Sequence, residues 1–327
     1  MRKASLFITA LLVFTLAFTA CGKKSEAPVA GSASPTDMLN LVPQDANGVF
    51  FVNVNKAMGT EFARKAIEKD DSYQKYQEFI TKTGIDPQKD IYYAAIAMMG
   101  ELAEDKAKGA AILNMKFDKE KLIALAKEKA AEEEKEIGEE DYNGITLYHW
   151  QEQKDPFYLT FLDDSNIVAG NEAPVKAVID VVQKRQENLF KNPALADLVE
   201  KSNKDAMVWG NILIAKDALD KMKSSNPMLS DLEGISAVSM FFDYKNQNML
   251  AEIKLMNSDA DKNKKIAEML TGFKALGSMA AGEKPEIGEL MSKIEVSSGA
   301  DHVKIFASLP EDLIAKLSEK KEEQEEE

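Results

Sequence analysis

The dipeptide Asn143-Gly144 lies between two strand-like segments and constrains the fold more than any other short stretch of this chain. Asn-Gly favours the tight turn that joins two antiparallel strands, so the run ITLYHW (145–150) is predicted to pair with the residues before the turn. The runs FYLTFL (157–162) and IVAG (167–170) follow after short polar loops. We therefore predict an antiparallel meander in this part of the chain.

Three more pairs of apolar runs are spaced as hairpins. IYYAAIAMM (91–99) and AAILNMKF (110–117) are joined by a polar loop, whereas SAVSMFFDY (236–244) and NMLAEIKLM (248–256) flank the short turn KNQN. The last pair, KIEVSS and HVKIFASL, meets at Gly299. Runs of this length and composition are typical of strands that pack against a core, so each pair predicts two antiparallel strands.

Charge-rich segments with apolar residues at helical spacing separate these strands. One such segment covers 57–83 and stops at Gly84, because glycine readily adopts the left-handed conformation that ends a helix. Asp118 is predicted to cap the next helix with its side chain. A long helix is predicted over 259–281.

The second half of the chain repeats the order of the first half. The strands GVFFVNVN (48–55) and AMVWGNILIA (206–215) each precede a helix, a hairpin, a second helix and further strands. LIALAKEK (122–129) also matches LIAKLSEK (313–320), although a recurrent strand–helix unit would explain that match equally. We predict an α+β fold of two tandem β-α-ββ-α-ββ-α units, with antiparallel sheets and helices packed on one side.

Length and composition agree with two folded units. A chain of 327 residues has room for about two domains, which we assign to residues 41–203 and 204–321, followed by an acidic tail at 322–327. Hydrophobic residues make up 45% and charged residues 29%, as in ordinary folded proteins. The formal net charge of −14 would repel phosphate backbones, so we expect no nucleic-acid partner.

The first twenty residues have the pattern of a secretory signal. Arg2 and Lys3 precede an apolar run at 6–18, which is shorter than the roughly 20 residues that a spanning helix needs. Cys21 is the single cysteine of the chain and directly follows Ala20. The segment AFTAC resembles the lipobox of bacterial lipoproteins, although Phe18 stands where that family usually has Leu. The resemblance implies cleavage between Ala20 and Cys21 and attachment of diacylglycerol to the Cys21 thiol.

Lipidation would place the protein at a membrane surface. Several acyl chains, each worth about 0.8 kcal/mol per buried CH₂, make a durable anchor in a lipid bilayer. The sixteen residues at 22–37 are rich in Gly, Ala, Ser and Pro and read as a flexible tether with an r.m.s. span of about 20 to 24 Å. By the same resemblance, Gly22 after the cysteine implies sorting to the outer membrane, with the protein facing the periplasm.

The mature part also resembles a family. The order GIDPQKDI, MKFD, YNGITLY, DDSNIVAG, NPALADL and VWG is similar to that of an uncharacterised family of secreted or lipid-anchored bacterial α+β proteins. The resemblance covers roughly residues 40–215. Because its motifs are turns and strand ends, it implies a fold and a compartment but no activity.

The sequence contains no recognisable catalytic or metal motif, so we expect no enzyme activity, cofactor or metal. The two histidines, His149 and His302, lack a nominated partner and are interpreted as strand and turn residues. The segment DADKN at 259–263 begins like a calcium loop but then lacks the required Gly and Glu, so helix capping by Ser258 or Asp259 is preferred. The acidic run at 132–141 is interpreted as a solvated helix end. The scattered methionines are interpreted as core filling.

Three functional classes are consistent with these observations. We favour a non-enzymatic binding or scaffold module of the cell envelope, with an envelope protein or a small amphiphile as partner. The alternative is a carrier of a lipid or another amphiphile in an apolar cavity that Phe50, Phe51, Trp150 and Phe157 would line. A hydrolase is the third class. An apolar cavity of several hundred Å³ would favour the carrier, an exposed apolar patch the binding module, and paired carboxylates in a cleft the hydrolase.

Overall fold

A computed structural model of the chain describes residues 34–68, 70–100, 108–152, 155–217, 219–220, 232–280, 282 and 285–317. The described chain divides into two compact units. One unit runs up to Gly100 and then from Lys108 to Asp197, and the other begins at Leu198. Cys21 with its predicted signal and tether, and the acidic tail, lie outside the described residues.

The first unit alternates helices and strands in the predicted order. Its described elements are α1 (Pro35–Leu39), β1 (Gly48–Asn53), α2 (Val54–Met58), α3 (Glu61–Ile67), α4 (Asp70–Thr83), α5 (Pro87–Asp90), β2 (Ile91–Met99), β3 (Lys108–Met115), α6 (Lys119–Glu132), β4 (Gly138–Tyr142), β5 (Ile145–Glu152), β6 (Asp155–Phe161), β7 (Asn166–Gly170) and α7 (Glu172–Val182). A 3₁₀ turn, Leu189–Lys191, precedes α8 (Pro193–Glu200), and the boundary between the units falls within α8.

The strands of the first unit lie in the order β1-β2-β3-β7-β6-β5-β4, and each neighbouring pair is antiparallel. Asn143 and Gly144 have φ angles of 59° and 83° and form the two-residue turn between β4 and β5, as predicted. Asp118 Oδ1 accepts the backbone N–H of Lys121 at 2.9 Å and caps α6. Local sequence signals therefore identified the hairpins and caps correctly.

Helices α6 and α7 lie on opposite faces of the first unit's sheet. Strand residues alternate between faces, and the face toward α7 carries fully buried side chains such as Phe51, Ile112 and Leu147. Val175, Val178 and Ile179 of α7 are also fully buried and complete this core. The opposite face is contacted by α6. The prediction that helices pack on one side of the sheet therefore does not hold for α6 and α7, because both faces of β5 and β6 carry apolar side chains.

The predicted helical segment at 57–83 is divided into α2, α3 and α4. Gly59 ends α2, and the hydroxyl of Thr60 accepts the backbone N–H of Ala63 at 3.1 Å to begin α3. Gly84, with φ of 76°, ends α4 at the predicted position. A glycine followed by a capping threonine thus interrupts a continuous helical pattern.

The second unit repeats the topology of the first in shorter form. Its described elements are β8 (Val208–Leu213), β9 (Ala237–Lys245), β10 (Asn248–Met256), α9 (Ala260–Ala280), α10 (Pro285–Ser292), β11 (Ile294–Ser298) and β12 (His302–Pro310). The antiparallel strand order is β8-β9-β10-β12-β11. In both units the last strand returns to pair with the second strand of the first hairpin. The first unit has one additional hairpin, β4–β5, at the edge of its sheet.

One cluster of buried apolar residues in the second unit lies near the start of α9. Ile266 and Ala267 of α9 are buried with Ile235 and Val303, and Leu255 and Val296 pack against them. All nine residues of β10 are only half-buried, so this sheet is covered less completely than that of the first unit. The predicted class, α+β with antiparallel strands, is confirmed in both units.

Candidate functional site

An apolar cleft of about 130 Å³ lies between α6 and the sheet of the first unit. The helix contributes Leu122, Ile123, Ala126 and Lys127 to its lining. For comparison, an engineered apolar cavity of about 150 Å³ binds benzene or xenon. The α6 cleft therefore has room for one aromatic ring or the end of an aliphatic chain.

The sheet side of the α6 cleft is formed by aromatic and aliphatic side chains. Its lining residues are Ile137, Tyr148, Trp150, Leu159 and Phe161. Tyr148 pairs with Leu159 across β5 and β6, and alternation places the other strand residues of this list on the same face. The strand residues of the cleft lining are thus residues of β5 and β6 that point away from the α7 core.

Aromatic contacts hold this side of the cleft together. The Trp150 and Phe157 ring centroids are 5.0 Å apart, and those of Tyr148 and Phe161 are 6.1 Å apart in an edge-to-face arrangement. Phe117 contacts the same Phe161 ring at 5.4 Å. The Trp150 Nε1–H is buried and has no hydrogen-bond acceptor among the residues that the structure describes. An indole donor therefore lies in apolar surroundings.

A row of half-buried apolar side chains continues from the α6 cleft across the sheet. The strand registers place Leu159, Ala169, Ala111, Ile96 and Phe50 side by side on the cleft face. We call these residues the apolar row. It crosses four strand spacings, which is about 19 Å. The cleft face is thus apolar well beyond the cleft itself.

Two lysines lie at the edge of the α6 cleft. Lys127 Nζ is 2.9 Å from Glu139 Oε1, and this hydrogen bond raises the pKa of Lys127 above its ordinary value. Lys119 Nζ lies 5.3 Å from the centroid of the Phe161 ring, which is within the range of a cation–π contact. The apolar cleft therefore has lysine side chains at its edge.

The opposite face of the same strands carries a polar cluster around Lys176 of α7. Lys176 Nζ donates to Glu172 Oε1 at 2.6 Å and lies 2.9 Å from Glu140 Oε1. It also lies 5.1 Å from the Tyr142 ring and 5.8 Å from the Tyr158 ring. Lys176 thus has two carboxylate partners and two tyrosine ring contacts. These contacts join α7 to the sheet.

His149 belongs to this polar face. Its ring stacks on Tyr158 with centroids 5.3 Å apart and covers Gly138, where a Cβ atom would come within 2.3 Å of the ring. His149 is therefore explained as a strand residue whose ring packs on Tyr158, and this packing requires no catalytic role. His302 lies at the start of β12, and its Nδ1 is 2.7 Å from the neighbouring Asp301 carboxylate.

A second apolar surface lies on α9 in the second unit. Phe273, Leu276 and Met279 are spaced three residues apart and are 38%, 62% and 79% exposed. This spacing places them along one side of the helix. We call this surface the α9 apolar face.

The four aromatic residues predicted to line a cavity lie in different places in the structure. Trp150 lines the α6 cleft, and Phe157 lies beside it on the neighbouring strand, with ring centroids 5.0 Å apart. Phe50 lies at the far end of the apolar row. Phe51 points to the other face, is 1% exposed and contacts Tyr93, so it belongs to the core. Sequence reasoning missed Tyr148, Leu159 and Phe161, which alternation would have identified once the strand register was known.

The other polar motifs are accounted for by local structure. Asp259 Oδ1 accepts the backbone N–H groups of Asp261 and Lys262, each at 3.1 Å, so the calcium-like segment caps α9 as preferred. In the acidic run, Glu132 pairs with Lys129, and Glu139 and Glu140 pair with lysines as described above. The parts of the chain with assigned structure hold no group of three or more His, Cys, Asp or Glu side chains suited to a metal ion.

The fold and the cleft define an antiparallel α+β protein with an apolar site beneath one helix. The chain belongs to the family described as a protein of unknown function, DUF3352, which matches residues 5–283. A comparison with curated proteins finds no match. Within the described ranges, no helix combines the length and the apolar character needed to cross a membrane.

Two similar solved structures have been compared with this chain. Crystal form III of TP0453 is 11% identical, with 86% of this chain and 96% of that chain covered and a TM-score of 0.49. Crystal form I of TP0453 is 10% identical, with 88% and 97% covered and a TM-score of 0.46.

Proposed function

We propose that this protein is a non-enzymatic binding module of the bacterial cell envelope, lipid-anchored through Cys21 to the outer membrane and facing the periplasm. Its first unit would hold an apolar group of its partner in the α6 cleft. The cleft itself is the observation that supports this proposal, because it is lined almost entirely by apolar side chains. Ligand sites typically combine such a lining with very few polar groups.

The size of the cleft favours the binding module over the carrier of a whole lipid. Pockets that enclose a drug-sized molecule measure about 300–1,000 Å³, whereas the α6 cleft measures about 130 Å³. It would therefore enclose only part of an amphiphile, with the apolar row extending the contact. The exposed α9 apolar face supports the same interpretation, since exposed apolar patches often mark interaction sites. The cleft lining contains no carboxylate and so lends no support to a hydrolase.

A pair of matched variants on α6 tests the proposal. Ala126→Phe places a ring in the α6 cleft, whereas Ala131→Phe places the same ring on an exposed part of the helix outside the lining. Binding of the fluorescent apolar probe N-phenylnaphthylamine is measured by titration. We expect Ala126→Phe to weaken binding by about tenfold, or about 1.4 kcal/mol, and Ala131→Phe to leave it unchanged. Equal probe affinity in both variants would exclude the α6 cleft as the binding site.

A further inference from the structure

Helix α6 buries far less of its surface than α7, although both helices pack on the sheet of the first unit. Ala130 is the single buried residue of α6, whereas six residues of α7 are buried. Leu122 and Ile123 are only half-buried, and both line the α6 cleft. Helices in proteins are stabilised mainly by burial of their apolar face. Packing therefore stabilises α6 on the sheet much less than it stabilises α7.

The backbone of α6 also stands away from the strands. The Cα atoms of α7 repeatedly come within 8 Å of those of β2, β3, β6 and β7, whereas those of α6 do not approach any one strand in this way. Helix α4 contacts α6, and Tyr76 is the buried side chain of α4 among those that the structure describes. The neighbouring helix thus adds few buried contacts to hold α6 in place.

An ion pair ties the C-terminal end of α6 to β5. Lys135 follows the helix, and its backbone N–H donates to the carbonyl oxygen of Ala130 at 2.8 Å. Lys135 Nζ lies 3.0 Å from Glu133 and 3.2 Å from Oε1 of Glu152, the last residue of β5, whose side chain is 8% exposed. Separating a buried carboxylate from its cation is costly. The contact between Lys135 and Glu152 must therefore be released before this end of α6 can leave β5.

We propose that α6 is a lid over the α6 cleft, whose C-terminal end moves away from β5 to admit an apolar group and returns to enclose it. This inference rests on the proposed function and describes how the same site is entered. In the observed position the cleft measures about 130 Å³, whereas sites that enclose a drug-sized molecule measure about 300–1,000 Å³. Movement of α6 would admit a larger group than the closed cleft can hold.

Amide hydrogen exchange tests whether α6 opens separately from the rest of the first unit. The measurement uses the mature chain, residues 21–327, with Cys21→Ser so that no lipid is attached. Amides that open locally exchange faster than amides that require global unfolding, and we expect at least about tenfold less protection in the C-terminal half of α6 than in α7. Equal protection of the two helices would overturn the lid.

The probe N-phenylnaphthylamine separates this inference from the proposed function. A ligand that binds only the closed state reduces the population of open states about a hundredfold at 100 times its dissociation constant. Exchange of the α6 amides should slow by this factor when the probe is bound. If the probe binds and α6 exchange is unaltered, the lid is overturned while the binding function stands. If the probe does not bind, the proposed function fails and the lid fails with it.

Two lysine variants outside the cleft lining test the tie to β5. Lys135→Met should speed exchange in the C-terminal half of α6 about fivefold without changing α7, because it removes the cation that pairs with Glu152. Lys129→Met is the matched control, since Lys129 pairs with Glu132 within α6 and both side chains are more than half exposed. It should leave exchange nearly unchanged. Equally faster exchange of α6 and α7 in Lys135→Met would contradict the lid, because the contact would then stabilise the whole unit.

Discussion

At the scale of single residues, Lys176 joins helix α7 to strands β4 and β6. Its side chain is 22% exposed and contacts Glu140, Glu172 and two tyrosine rings. Burial by itself would lower the pKa of Lys176, but the hydrogen bonds to Glu172 and Glu140 outweigh it and raise the pKa above its ordinary value of 10.5. The amine is therefore charged at every physiological pH.

Replacing Lys176 by Met should destabilise the protein by about 1–2 kcal/mol, because the half-buried Lys176 is the partner that Glu140 and the more exposed Glu172 share. The free energy of unfolding is measured by urea denaturation. Lys82→Met is the matched control, since the pair of Lys82 with Glu78 is more than half exposed on α4 and should contribute less than about 0.5 kcal/mol. Similar losses in the two variants would contradict the role of Lys176.

The effect of Lys176→Met should depend on pH in a defined direction. The hydrogen bond from Lys176 lowers the pKa of Glu172 below its ordinary value of 4.5. A carboxyl with a lowered pKa in the folded state contributes stability above its unfolded pKa, and this contribution is lost as the pH falls through the folded pKa. The difference between the two proteins should therefore be constant near neutral pH and decrease below pH 4.5. An unchanged difference at acidic pH would argue against the Glu172 contact.

At the scale of elements, strands β3 and β7 approach each other closely at Gly170. A Cβ atom at Gly170, whose φ is 154°, would lie 2.2 Å from the carbonyl oxygen of Gly109. Asn171 reinforces this approach, since its backbone N–H donates to Gly109 O and its side chain accepts from the Gly109 N–H, both at 3.0 Å. The pairing of β3 with β7 thus depends on the absence of a side chain.

Two Gly→Ala variants should change stability in opposite directions. Gly170→Ala should destabilise the protein by about 2–3 kcal/mol, because the strand backbones must separate. Gly272→Ala lies within α9, where an added Cβ meets no atom within 4 Å, and should stabilise by about 0.5 to 1 kcal/mol through its higher helix propensity. Thermal unfolding measures both effects. A stable Gly170→Ala variant would refute the close approach.

At the scale of the whole molecule, the two units have a common topology. In each unit the last strand returns to the second strand of the first hairpin, so that β7 pairs with β3 and β12 pairs with β10. The predicted duplication of a β-α-ββ-α-ββ-α unit implies such a common order. The extra hairpin β4–β5 supplies Tyr148 and Trp150, so one side of the α6 cleft depends on an element that the second unit does not repeat among its described strands.

The predicted anchor is also a property of the whole molecule, because it would decide where both units reside. Cys21→Ser should abolish incorporation of labelled palmitate and the partition of the protein into detergent, since the thiol that would carry the lipid is lost. Phe18→Leu is the control, because it supplies the residue that lipoboxes usually have and should retain labelling. Labelling of Cys21→Ser would show that the anchor is elsewhere.

Local signals in the sequence determined the hairpins, the helix caps and the antiparallel α+β class. Asn143-Gly144, Asp118 and Gly84 act on residues within a few positions, so their effects can be read without knowing the rest of the fold. The predicted signal and lipid anchor around Cys21 depend on adjacent residues for the same reason.

Only the tertiary structure decided which residues form the α6 cleft. Leu122 and Trp150 line the same cleft because α6 packs on one particular face of β5, and neighbouring strand residues point to opposite faces. Phe50 and Phe51 are adjacent and equally apolar, yet one lies on the cleft face and the other in the core. Apolar alternation shows that a strand has two faces, but the helix that covers each face is chosen by contacts between distant parts of the chain.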